Sequence, residues 1–192
     1  EMWIRDRFAV IGLGRFGRAV VETLVASGYD VMGCDKNMEA VKQMEHIATD
    51  VMQLDVMNED AMQYIGLNNF DVVIVAIGES LEASIMATMY AKEKGVKTVI
   101  AKAIGTPQKK LLEKVGADKV LMPERDSGQR LAISLVTSNV LEYITVSDKF
   151  GIAEIGVVDK WVDKTLQDAN IRAKYGINAV SYTHLTLPTN SL

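Results

Sequence analysis

A glycine-spaced loop, Ile11-Gly12-Leu13-Gly14-Arg15-Phe16-Gly17, carries the clearest chemistry in the chain. The G-x-G-x-x-G spacing follows an apolar run, Phe8 to Ile11, and opens a segment of helical periodicity. That is the context a phosphate-binding loop requires. Gly12 suits the tight turn off the strand, Gly14 the close approach of a pyrophosphate, and Gly17 the packing of the helix on the sheet. The N–H groups and positive dipole end of the first helical turn then attract phosphate. Asp35 stands eighteen positions after Gly17, closing the second apolar run. A carboxylate there accepts hydrogen bonds from a ribose 2′-OH and repels a 2′-phosphate. This disfavours NADP but leaves NAD(H), ATP, ADP and AMP open, since all share the adenosine ribose. Asn37 either assists at the ribose or caps the next helix.

Arg15 is the unusual residue of the loop, with Phe16 beside it as a further contact for the bound cofactor. A guanidinium at this place either forks to phosphate oxygens or is an exposed arginine opposed by the helix dipole. The ends of the other apolar runs supply the remaining candidates: Asp55 and Val56, then Ala76-Ile77-Gly78, Lys102 and Glu124. Asp55 and Val56 would border the adenine, Gly78 would admit the ligand close to the backbone, and Lys102 would offer a point charge to phosphate. Glu124 cannot face phosphates unaided, so it implies either a bridging cation or a nearby base. For each, the plainer alternative is a strand ending at the surface.

What is missing narrows the chemistry. Hydride transfer needs a substrate domain and a positioned acid or base, and the only histidines are His46 and His184. His46 reads as a surface imidazole at a helix end. No nucleophile–base pair, metal-ligand cluster or Walker A loop is present in the sequence. The chain reads as a nucleotide-binding module without a catalytic apparatus.

Elements that could position these residues follow in regular alternation. Strands are expected at Phe8–Ile11, Asp30–Cys34, Val51–Leu54, Asp71–Ile77, Lys97–Ala101 and Lys119–Met122. Between them lie helices over about 15–27, 37–46, 58–65, 80–94 and 106–115, several capped by Asn37 or Ser80 and ended by glycine. A long helical stretch follows Pro123 through about Val136. Six strands alternating with helices specify an α/β fold, a doubly wound parallel sheet. Ligands of such sheets bind at the carboxyl ends of the strands, where the strand order reverses.

Beyond Asn139 the pattern changes to two alternating runs, 141–146 and 152–157, then a short helix near Thr165–Ala169 and a strand near Ile177–Ser181. This divides the chain into a nucleotide-binding unit (1–139), a linker with the start of a small α+β lobe (140–181), and a non-native tail (182–192) that includes His184. The 192 residues are 48% hydrophobic and 24% charged with a net charge of −4, an ordinary globular composition. No Lys/Arg-rich run marks a nucleic-acid partner. The apolar run Val72–Ile77 is far too short to span a bilayer, and no signal peptide precedes the first strand. The single cysteine, Cys34, fits a buried apolar role in a reducing, cytoplasmic setting.

The ten residues Phe8 to Gly17, then Asp35, Val72 to Gly78, Lys102-Ala103, Gly116-Ala117-Asp118 and Pro123-Glu124-Arg125-Asp126 together resemble the regulator-of-potassium-conductance (RCK, or TrkA-N) domains. The pattern is most similar to the cytosolic KtrA-type subunits of bacterial Ktr potassium uptake systems, over roughly residues 7–180. Asn170 to Gly176 resembles the start of that family's C-terminal lobe. The resemblance implies a Rossmann domain that binds ATP, ADP or NAD(H). It also implies homodimers assembling into an octameric ring on a membrane potassium-translocating subunit, with nucleotide exchange gating ion flux. Arg15 would contact phosphates, its own or those of a neighbouring subunit's ligand, and Asp35 the ribose. Glu124 would help hold a cation, Mg2+ with the triphosphate, beside the terminal phosphate. The expected function is a nucleotide-sensing regulatory subunit without turnover of its own. The competing readings are an NAD-dependent oxidoreductase fragment lacking its catalytic domain and, more weakly, an NADH-binding redox sensor.

Overall fold

The computed structural model describes residues 6–136, 140–147, 150–157 and 159–179. The chain divides into two compact units, residues 1–126 and 127–192. The first unit is a six-stranded sheet with strands β1 (Arg7–Ile11), β2 (Asp30–Asp35), β3 (Asp50–Gln53), β4 (Val72–Val75), β5 (Thr98–Lys102) and β6 (Lys119–Leu121). Helices α1 (Arg15–Ala26), α2 (Met38–Met44), α3 (Glu59–Tyr64), α4 (Leu81–Glu93) and α5 (Thr106–Lys114) connect them, and α6 (Pro123–Val136) follows β6. Strand order is β3-β2-β1-β4-β5-β6, and every pairing is parallel. The chain winds outward from β1 to β3, then returns to β4 and winds the other way. The crevice between the carboxyl ends of β1 and β4 is therefore the topological switch point.

Burial shows both faces covered. Ala9, Ile11, Val73 and Val75 join one apolar cluster with Met62, Leu67, Ala87 and Leu112. Val10 and Ile74 join the opposite cluster with Leu13, Val21, Val41 and Met44. Successive strand side chains point to opposite faces, so near-continuous apolar strands are what a doubly covered parallel sheet requires. The helix starts are set locally. The side chain of Asn37 accepts from the Glu39 amide at 2.8 Å, Asn58 from Ala61 at 3.1 Å, and Ser80 from Ala83 at 3.1 Å.

Two elements end two residues earlier than periodicity suggests. Strand β4 stops at Val75 rather than Ile77, because β1 turns away at Gly12 and leaves Ala76 as the last residue to bond it, through its amide to the Ile11 carbonyl at 2.7 Å. Helix α2 stops at Met44 rather than His46, where the amides of both Ile47 and Ala48 fold back onto the Met44 carbonyl.

In the second unit β7 (Val140–Ser147) and β8 (Phe150–Ile155) form an antiparallel hairpin. Short helices α7 (Leu166–Ala169) and α8 (Ile171–Tyr175) follow, separated by Asn170 in a left-handed conformation. Tyr175 packs edge-on against Trp161, with ring centroids 5.5 Å apart. Helix α8 adds to the elements expected from periodicity. Of the strand expected near Ile177–Ser181, residues 177–179 are irregular and the rest lies outside the described residues. So do Asn139 and the tail 182–192 with His184. The unit division falls inside α6, ahead of the expected change of organisation near Asn139 to Ser147.

Candidate functional site

The loop at the switch point is shaped by two glycines that admit no side chain. Gly12 has φ +103°, a conformation that glycine adopts readily, and its amide donates to the Cys34 carbonyl at 2.7 Å. A Cβ on Gly17 would lie 1.8 Å from the Gly12 carbonyl oxygen, so the first turn of α1 can press directly on the loop only as glycine. Gly14 differs, since a Cβ there would meet nothing within 4 Å. It is the N-cap of α1, makes no side-chain cap bond, and no acid occupies the first turn. The helix start thus presents amide hydrogens toward open space, the arrangement that binds anions.

Asp35 ties this loop to the turn after β2. Its Oδ2 accepts the Leu13 amide at 2.6 Å and its Oδ1 accepts the Asn37 amide at 2.8 Å. The Asn37 side chain is itself occupied in capping α2. Beside this turn lies an open cavity of about 620 Å³ lined by Lys36, Asn37, Gln53, Asp55, Asn58 and Ala61. Asp55 reaches this cavity while its Oδ1 accepts the Met57 amide at 3.0 Å. Val56 does not line it: at 5% exposure it sits in the core. Lys36, Gln53, Asn58 and Ala61 line this cavity, and the motif spacing does not single them out. The available signal is register, since Gln53 is the partner of Asp35 across β2 and β3.

A second cluster forms across the crevice. Ala76 is buried against the loop and Ile77 packs on the core. Lys102, at the end of β5, places its Nζ 2.6 Å from Glu124 Oε1 and 5.8 Å from the Phe16 ring centroid. A Cβ on Gly78 would stand 3.6 Å from that same Nζ. The Lys102 hydrogen bond is the main influence holding the Glu124 carboxyl below the usual carboxylate range, helped by its own main-chain amide and by the charges of Lys102 and Arg15. The structure therefore supplies the nearby base that Glu124 implied. Among the described residues no three His, Cys, Asp or Glu side chains gather as a metal centre. A divalent cation at Glu124 would draw its other ligands from phosphate oxygens and water, which suits Mg2+.

His46 is exposed. Burial, with the Asp35 charge, pushes the Cys34 thiol up to about 12, so it is no nucleophile at neutral pH.

The TrkA-N domain family matches residues 8–123. The Ktr system potassium uptake protein C of Bacillus subtilis is 42% identical over 178 residues, 93% of this chain and 80% of that protein. The Ktr system potassium uptake protein A of Vibrio alginolyticus is 38% identical over 176 residues, 92% of this chain and 80% of that protein. Among solved structures, the GsuK channel bound to NAD superposes with a TM-score of 0.68 at 17% identity, over 92% of this chain and 32% of that one, which reflects a shared fold. The named relatives are potassium uptake proteins rather than enzymes. With its glycine loop, β2 carboxylate and six-stranded parallel sheet in the order described, this chain belongs to the TrkA-N (RCK) domain family of potassium-transport proteins.

Proposed function

We propose that the chain is a cytosolic, nucleotide-sensing regulatory subunit that gates a membrane potassium transporter from its inner face. The observation that carries this reading is the uncapped start of α1 at Gly14, with Asp35 anchored beside it. One end takes phosphates and the other takes an adenosine ribose. The adenine has the cavity lined by Asn37 and Asp55 available to it. Arg15 reads the phosphate chain, and Glu124 helps hold Mg2+ beside a triphosphate. ATP, ADP and NAD(H) are the candidate ligands, and the NAD bound by the GsuK channel, which shares this fold, supports the class. Gating follows because ligands with different phosphate chains interact differently at one site, and only differential affinity shifts a conformational equilibrium. The working assembly is a homodimer built into an octameric ring on the potassium-translocating subunit. No helix among the described residues is long and apolar enough to cross a membrane. The oxidoreductase reading fares worse, because the named relatives are potassium uptake proteins.

Thermal shift against ATP, ADP, NAD, NADH and NADP tests the proposal. A ligand present at a hundred times its Kd stabilises by about 2.7 kcal/mol. Shifts with ATP, ADP or NADH but not NADP are expected. No shift with any adenine nucleotide would sink the reading.

A further inference from the structure

The Lys102 ammonium, in the phosphate half of the site, is already engaged. Its side chain is only 12% exposed, and its Nζ lies 2.6 Å from the 67% exposed Glu124 carboxylate. A largely desolvated ammonium needs an anionic partner, and here α6 supplies it. Gly78 also stands beside Nζ, where an added Cβ would lie 3.6 Å from it. The Phe16 ring, one residue beyond Arg15 in the first turn of α1, lies 5.8 Å from Nζ to ring centroid. Lys102 thus bonds a carboxylate while lying close to a side chain from the first turn of α1.

We propose that Lys102 exchanges partners: it holds Glu124 when no diphosphate is present and turns to the second phosphate group when one binds. This rests on the nucleotide reading above and adds to it a mechanism for counting phosphates. A diphosphate must compete with Glu124 for the ammonium, whereas a monophosphate held at the helix start does not reach it. The released carboxylate is not left destabilised. Glu124 lies in the first turn of α6, beside the positive end of that helix, which favours an unpaired anion there. Exchange also orders the events, since Glu124 becomes available to a divalent cation only after phosphate has taken Lys102.

Calorimetric titration of the full chain with ADP and with AMP, in EDTA, tests the exchange in Glu124→Gln and Lys102→Met. Removing the competing charge in Glu124→Gln should raise the ADP-to-AMP affinity ratio two- to fivefold, roughly what an exposed ion pair contributes. Lys102→Met should lower that ratio about tenfold. A ratio unchanged or lowered in Glu124→Gln overturns the exchange, and that arm stands even if Lys102→Met fails to fold. Equal loss of ADP and AMP in a folded Lys102→Met also overturns it, by showing that Lys102 supports the site without counting phosphates. If the unsubstituted chain binds neither nucleotide, the underlying reading fails, a result distinct from either of these.

Discussion

The carboxylate of Asp35 accepts the main-chain amide of Leu13 at 2.6 Å, across 22 positions of sequence. A single side chain therefore holds the phosphate loop against the end of β2, where the ribose is expected. Its second oxygen holds the Asn37 amide, so ribose hydroxyls would share a carboxylate that already has a structural task.

Asp35→Ala is accordingly expected to act twice. It should lower stability by about 1–2 kcal/mol through loss of charge-assisted bonds, and weaken ATP, ADP and AMP alike. Asp35→Asn keeps one acceptor and should recover part of the stability without restoring the ribose contact. Denaturant melts read the first effect and calorimetry the second. Unchanged affinity for all adenosine ligands would move the ribose away from Asp35.

The loop glycines should separate folding from binding. Gly17→Ala drives a methyl to 1.8 Å from the Gly12 carbonyl oxygen. Overpacking against rigid backbone of this kind costs about 3 kcal/mol or more, a fall in Tm of roughly 10 °C. Gly14 has φ −69° and ψ −174°, backbone that any residue adopts, and space around it. Gly14→Ala should fold with nearly unchanged Tm yet bind nucleotide more weakly. Equal melting of the two variants would contradict this geometry.

Arg15 should distinguish phosphate chains. Arg15→Ala is expected to reduce the preference for ATP over ADP about tenfold, the worth of one charge-assisted bond, with AMP affinity nearly unaffected. Parallel loss for all three ligands would show that Arg15 supports the fold rather than reading the terminal phosphate.

Two groups predict opposite pH behaviour. The folded Glu124 carboxyl titrates below its ordinary value, chiefly because Lys102 bonds its ionised form. The stability it contributes is present above the ordinary carboxylate pKa and lost as pH falls through the lowered one. Cys34 runs the other way, raised from 9.0 to about 12 by burial. Its contribution is whole below pH 9 and lost between about 9 and 12, as the unfolded thiol ionises and the folded one does not. Melts of Lys102→Met at low pH and of Cys34→Ala at high pH should each flatten the corresponding limb. Cys34 should also resist thiol reagents at pH 8 until the protein is unfolded.

Much of this molecule is legible in its sequence because the relevant physics is local. Alternating apolar runs, the caps Asn37 and Ser80, and the glycine spacing from Gly12 to Gly17 each act within a few residues, and they suffice for the doubly wound sheet and its phosphate loop. Asp35 is also within reach, since its place is defined by the end of one strand. Tertiary structure decided what depends on separate strands closing into a sheet. Lys102 and Glu124 meet only because β5 and β6 are neighbours. Gln53 joins the cavity only because β3 pairs beside β2, and Val56 leaves it because the core claims its side chain. The same closure brought Phe16 and Gly78 to Lys102. Spacing along the chain named Lys102 and Glu124 as candidates, but only packing made them partners, because an ion pair is set by distance in space and not by separation in sequence.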